Sequence, residues 1–155
     1  MPTIAELTST FPRPGRVEWI GIRPARREPV MVLDKVDIRP GGLEGDHRNK
    51  PGIRAVTLIQ HEHLVAIANL AGLAAVDPVL LRRNLAISGI NLIALKDRRF
   101  RIGSALLEGT GICAPRSRME EVLGPGGYNA MRGHGGITAQ VIEAGIANLG
   151  DSVSG

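Results

Sequence analysis

Apolar residues along this chain recur in short runs of period two, separated by glycine and proline, and one stretch keeps a helical period. Residues 16–22 (RVEWIGI) alternate and predict a first strand, broken by Pro24. Residues 29–33 (PVMVL) predict a second strand with 25–28 as its turn, and 35–38 (KVDI) alternate again. A loop over 40–48 (PGGLEGDHR) continues through 49–52, before the β-branched run 54–59 (RAVTLI) predicts another strand. Leu64, Ile67 and Ala68 lie at helical spacing and mark a helix over 61–70, with Gly72 placed to cap it. Asp77-Pro78 reads as N-cap and first residue of a short helix ending at Leu81. Strands at 84–88, 99–102, 105–108 and 136–143 complete the pattern, with a helical turn at 119–123 stopped by Gly124 and a turn beginning at 144–145. Residues 1–14, ending in FPRP, read as an arm or short cap ahead of a single domain over 15–155.

Two short echoes, Ile102-Gly-Ser-Ala-Leu106 and Leu149-Gly-Asp-Ser-Val153, each put a glycine and a small polar residue before an apolar one. Both read as tight entries into strands. Many strands, few long helices and no βαβ alternation predict a mostly β fold with a few short helices, a largely antiparallel barrel.

Composition narrows the partners. The 155 residues suffice for one domain with its own core. Aromatic residues make up only 3%, so an aromatic platform for stacking bases is absent and nucleic acid is an unfavoured partner. The net charge of +4 is carried mostly by arginine, which suits bidentate recognition of phosphate or carboxylate in a small-molecule ligand. A single cysteine excludes an intramolecular disulfide and suits a reducing compartment. The first residues show no basic segment followed by an apolar core, and no apolar run nears the roughly 18 residues a membrane span needs. A cytoplasmic location away from membrane is expected.

Three segments carry candidate chemistry. Around the lone Cys113 the sequence reads Gly-Thr-Gly-Ile-Cys-Ala-Pro-Arg-Ser-Arg-Met, ending at Met119. Arg116 and Arg118 would favour the thiolate, which is both nucleophile and soft metal ligand. The plainer alternative is a small buried apolar residue, as most free cysteines are. In Gly42-Leu-Glu-Gly-Asp-His-Arg48, Asp46 offers an acid, His47 a proton shuttle and Arg48 an anion clamp, although such loops often only make a turn. Arg82, Arg83 and Asn84 leave a helix end for a strand and could aim guanidinium and amide groups into a barrel mouth; helix-dipole complementation is the simpler role for the arginines. The glycine-rich run 126–136 would bring Arg132 and His134 to Cys113 if the loops converge, with backbone N–H groups free to cradle a phosphate. It lacks the order of an NTP-binding loop. His61 and His63, two residues apart, do not form the i, i+4 zinc pair.

The succession Gly-Leu-Glu-Gly-Asp-His, Arg-Ala-Val-Thr-Leu-Ile, Arg-Arg-Asn-Leu, Ile-Gly-Ser-Ala-Leu and Cys-Ala-Pro-Arg-Ser-Arg-Met resembles the MOSC domain, the C-terminal module of molybdenum cofactor sulfurases, here as a stand-alone bacterial-type member. The resemblance covers about residues 15–153. It implies a barrel like that of the pyruvate kinase β-barrel domain, and a role with the molybdenum cofactor: sulfur carriage, or reduction of N-hydroxylated compounds. It further implies Cys113 as molybdenum ligand or persulfide carrier, and Arg82, Arg83, Asn84 and Arg132 on the pterin phosphate. Arg116, Arg118 and His47 would also contact the cofactor, and His134 or Asp46 would move protons. A redox protein or cysteine desulfurase would be the partner, and pyridoxal phosphate, which belongs to a separate sulfurase domain, is not expected to bind. One position departs from the family pattern, which follows this proline with a cysteine; here Pro115 is followed by Arg116. Either Cys113 substitutes from a shifted loop, or the thiol chemistry is lost and the protein is a non-catalytic anion or cofactor binder.

Overall fold

The computed structural model describes residues 1–155. A short helix α1 (Ile4–Thr8) opens the chain, its first turn closed by a reciprocal cap between Thr3 and Glu6. Strands β1 (Gly15–Ile22), β2 (Met31–Leu33), β3 (Lys35–Arg39), β4 (Gly42–Leu43) and β5 (Val56–Gln60) follow. After helices α2 (His63–Ala71) and α3 (Pro78–Leu81) come β6 (Leu85–Ser88), a 3₁₀ turn (Leu92–Leu95), β7 (Arg99–Ile102) and β8 (Ala105–Ile112). Helices α4 (Arg118–Leu123) and α5 (Gly127–Met131) precede β9 (Ile137–Glu143), β10 (Gly145–Asn148) and β11 (Ser152–Ser154).

Seven strands form a closed ring in the order β11-β7-β8-β9-β5-β6-β1, and β1 returns to β11 through Gly15 opposite Val153 and Arg16 opposite Ser152. Strand β2 hangs from β1 outside the ring, and β10, β3 and β4 make a separate small sheet. All pairings are antiparallel except β5 with β6. The predicted barrel is therefore the observed fold. No helix is long and apolar enough to cross a membrane.

Alternation along the strands divides the apolar residues into two cores. Leu58, Leu85 and Ile87 face into the barrel with Phe100, Ile102, Leu107 and Val153. Their neighbours Ile59 and Ala86 face out and pack with Leu64 and Ile67 of α2, Leu81 of α3, Met119 and Leu123 of α4, and Met131 of α5. Period two on a wall with apolar material on both sides thus gives β5 and β6 their nearly continuous hydrophobic sequence. The helices form a second layer over this one part of the wall.

Four segments differ from the sequence expectation. Residues 126–131, read as open loop, form α5 because Ala130 and Met131 bury against the helical layer. The start of α5 is capped from α4: Gly126 and Tyr128 donate their N–H groups to the Glu120 carboxylate at 2.9 and 3.1 Å. Strand β8 runs on through Gly109-Thr-Gly111, past the expected end at residue 108. Gly109 is a strand residue since Leu95 of the 3₁₀ turn lies where its Cβ would be. Residues 145–148 pair with β3 rather than turning, and Gly42 and Leu43 inside the expected loop form β4. The two echoes are turns into strands as read, with Gly103 and Gly150 both at positive φ.

Candidate functional site

A cavity of about 440 Å³ opens beside the barrel wall, under the helical layer. Its lining comes from segments distant in sequence. Strand β1 ends in Gly21 and Ile22 and is followed by Arg23; the segment after β4 brings Asp46, His47 and Arg48; Arg54 comes from the turn before β5 and Thr57 from β5 itself. The α3–β6 junction supplies residues 81–84, and the link from β8 to α4 supplies Cys113 and Arg116 to Met119. Thr57 and Asn84 alternate with the barrel-facing Leu58 and Leu85, so they sit on the outer face of the wall. The expected barrel mouth is corrected by this alternation: the barrel interior is filled with side chains, and the recess lies outside it.

Asn84 ties these segments together. It is 9% exposed. Its Oδ1 accepts from Thr57 N–H (3.0 Å) and Thr57 Oγ1 (3.3 Å), and its Nδ2 donates to Asp46 Oδ2 (3.2 Å) and Gly21 O (3.4 Å). Asp46 Oδ1 accepts from the Arg23 N–H at 2.9 Å, so both carboxylate oxygens are engaged by the framework. His47 stands between charges, its Nδ1 3.8 Å from Asp46 Oδ1 and its Nε2 receiving Arg23 Nη2 at 3.4 Å.

Arg83 is 7% exposed and enters the cavity from below the helices. Its Nε donates to Gly135 O and its Nη1 to Leu81 O, both at 2.9 Å. Its Nη2 is buried with no partner. Burial pushes this guanidinium below its ordinary range, Cys113 acts in the opposite sense, and Arg116 adds to the depression. A buried cation with one donor unspent is an incomplete arrangement that an anion completes. Cys113 lies on the same wall, half-buried, its N–H donating to Gly136 O at 2.8 Å. The Gly135-Gly136 pair allows this close approach. A Cβ on Gly135 would run into the Cys113 carbonyl, and Gly136 (φ +86°) would meet the Leu58 carbonyl.

Seven arginines line the cavity against one carboxylate, Asp46. Arg82 holds a left-handed backbone (φ 57°) at the C-cap of α3, a place where glycine is the usual residue. Burial lowers the Arg82 guanidinium, and the charges of Arg23, Arg118 and Arg116 lower it further. Arg23 is depressed by burial first, with Asp46 opposing and Arg118, Arg116 and Arg26 reinforcing. Its buried Nε also lacks a partner.

Of the residues singled out in the sequence, Asp46, His47, Arg82, Arg83, Asn84, Cys113, Arg116 and Arg118 meet in this cavity. Arg132 and His134 are not among its lining residues. The reason is α5, which uses up the chain expected to loop back toward the cysteine. Arg132 is exposed with its Nη1 donating to Asn129 Oδ1 (3.4 Å), and His134 Nδ1 lies 3.2 Å from His63 Nδ1, the rings edge-on. Arg48, weighed as an anion clamp, is present; Arg23 and Arg54 were missed, and only the excess of arginine over lysine hinted at them.

No group of three or more His, Cys, Asp and Glu side chains is placed to hold a metal ion. Cys113 is the single thiol of the cavity, with the Met119 thioether as its one other sulfur. A metal would therefore fit here only inside a ligand that brings most of its own donors, with the arginines taking that ligand's anionic groups.

Comparison with known proteins agrees with the fold. The sequence model of the MOSC domain matches residues 45–154. No curated protein matches the chain. Among solved structures, the YuaD protein of Bacillus subtilis superposes with a TM-score of 0.74 at 20% identity, over 91% of this chain and 94% of that one. YiiM of Escherichia coli gives 0.68 at 21% identity, over 90% of this chain and 68% of that one. YiiM of Geobacillus stearothermophilus gives 0.72 at 17% identity, over 91% and 74%.

Proposed function

As the chain belongs to the MOSC domain family, a family associated with the molybdenum cofactor, we propose that the arginine-lined cavity binds that cofactor. Arg82 and Arg83, with Arg116 and Arg118, would hold its anionic groups, and the Cys113 thiol would face its metal. The observation that carries this reading is Arg83: a buried guanidinium with an unspent Nη2, in one cavity with the chain's only thiol. When bound, the cofactor would supply atom-transfer chemistry at molybdenum, either sulfur loading or reduction of N-hydroxylated compounds. The chain's own part is binding and orientation. Asn84 and Asp46 brace the wall, and the Gly136 carbonyl fixes the cysteine backbone. Sulfur loading would require a cysteine desulfurase as partner, and reduction a redox protein.

A second reading is supported by Arg116, which stands where the family pattern has cysteine and lines the cavity. In that reading the site binds the cofactor without thiol chemistry. Molybdenum and pterin content, measured on protein purified from a cofactor-producing host, separates the two. Wild type should carry both, Cys113→Ser should lose the metal while Arg83→Ala loses both, and pterin retained with no dependence on the cysteine selects the binder. Neither metal nor pterin in the wild type would sink the proposal.

A further inference from the structure

Two histidines outside the cavity meet nitrogen to nitrogen. His63 begins α2 and His134 lies between α5 and β9, 71 positions later, and their Nδ1 atoms stand 3.2 Å apart. Neither residue lines the arginine cavity. We propose that this pair binds a divalent transition-metal ion of the zinc class through both Nδ1 atoms, a clamp on the helical layer that is separate from the cavity.

The spacing is the first argument. Two imidazole nitrogens on one tetrahedral zinc, each about 2.0–2.1 Å from it, stand about 3.3 Å apart. The pair is already at the separation an ion would set, so little side-chain movement is needed to admit one. A shared proton is the competing occupant, and the geometry suits it less well. A nitrogen separation of 3.2 Å is at the long end for a hydrogen bond. A straight N–H···N bond would also add the whole of both ring radii to that separation, yet the centroids are only 4.8 Å apart, with the ring planes at 81°. The bond is bent, and bending weakens it.

Proton placement and access agree. Neither Nε2 is bonded within the protein or buried without a partner, so both are open to water. Each ring can keep its proton there and present a bare Nδ1 to the ion. His63 also lines an open recess with Gln60, Glu62 and Gly89, which gives an ion a path from solvent and gives water the remaining coordination positions. Glu62 is not a third ligand, because its two oxygens accept from Gln60 Nε2 and the Gly89 N–H, both at 2.9 Å. Imidazole with water suits zinc, nickel or copper rather than magnesium. His134 leads directly into Gly135, whose carbonyl holds Arg83, and Gly136, whose carbonyl holds the Cys113 backbone. An ion on the pair would pin α2 to the segment that positions both cavity residues.

Zinc chloride titrated into the full-length chain carrying Cys113→Ser, so that the cavity thiol does not compete, tests the assignment. Long-range proton–nitrogen NMR of the four histidine rings should show the Nδ1 signals of His63 and His134 moving together with one equivalent of zinc, while His47 and His61 stay in place. Calorimetry should show zinc binding weakened about tenfold or more in His63→Gln and in His134→Gln, since even groups behind the ligands are worth that much. Zinc should raise the thermal midpoint of the parent and of neither variant, and magnesium should do nothing. No stoichiometric binding, ring signals that move at His47 or His61 instead, or an affinity unchanged in both variants would overturn the site. The ring spectra need no histidine substitution, so the proposal can fail even where a variant does not fold.

Discussion

Asn84→Ala should cost the fold about 3 kcal/mol, and the reasoning is open to a direct test. The substitution removes the bond from Thr57 N–H at 3.0 Å, a neutral bond of about 1 kcal/mol. It also removes the bond to the Asp46 carboxylate at 3.2 Å, worth about 1.5 kcal/mol because the acceptor is charged. The two longer bonds, to Gly21 O and from Thr57 Oγ1, add about 0.5 kcal/mol together. Water entering from the cavity would satisfy the exposed ends in part, so about 2 kcal/mol is the lower bound. For a domain of this size each kcal/mol moves the midpoint by about 2–4 °C, giving a drop of about 6–12 °C. Thermal unfolding followed by circular dichroism, with urea titration as a check, measures it. A drop of less than about 2 °C would mean that Asn84 is not the brace described here. In that case its place in the cavity would have to be explained by contact with a ligand.

Gly135→Ala places a methyl group against the Cys113 carbonyl and 3.3 Å from Arg83 Nη2, so a destabilisation of about 1–3 kcal/mol and weaker anion binding are expected in melts and titrations. The His63–His134 contact predicts an acid-sensitive fold. Burial first, and then the charge of His134, hold His63 below its ordinary value, while Glu62 opposes them. The unfolded chain therefore takes up a proton near pH 6.5 that the folded chain refuses. This contribution to stability is complete above that pH and is lost progressively below it. Midpoints measured from about pH 7.5 down to about pH 5.5 should fall, and His63→Gln should flatten the slope; a slope unchanged by the substitution would show that other groups cause it.

Strands were legible wherever a buried face imposed period two, as in β7, where Phe100 and Ile102 are buried and Arg99 and Arg101 are exposed. The short helix after Asp77-Pro78 was legible because its cap is local: Asp77 Oδ1 accepts the Val79 N–H at 3.0 Å. Helix α5 was not, because its cap comes from Glu120, in the preceding helix, and its only apolar anchors are Ala130 and Met131. That one element explains the misplacement of Arg132 and His134. The residues 82–84 and 113–118 were legible as chemistry since polar groups there interrupt or end apolar strands. Arg23 and Arg54 became part of the site only through the pairing of the strands they adjoin: Arg23 follows β1, whose Gly21 N–H donates to Asn84 O, and Arg54 precedes β5, whose Thr57 N–H donates to Asn84 Oδ1. Nothing in their local sequence encodes that.

The closing of the ring by β1 and β11 has a consequence for biosynthesis. These strands are separated by nearly the full sequence, yet Gly15 sits opposite Val153. A chain emerging from the ribosome N-terminus first completes β1 early and must wait for β11, so the barrel stays an open sheet until β11 has followed. Over that interval the Gly15–Arg16 end of β1 and the free edge of β7 are unpaired templates for other strands. Substitutions that slow the final pairing, such as Val153→Lys in the fully buried β11 position, would thus act on yield during synthesis before they act on the finished protein.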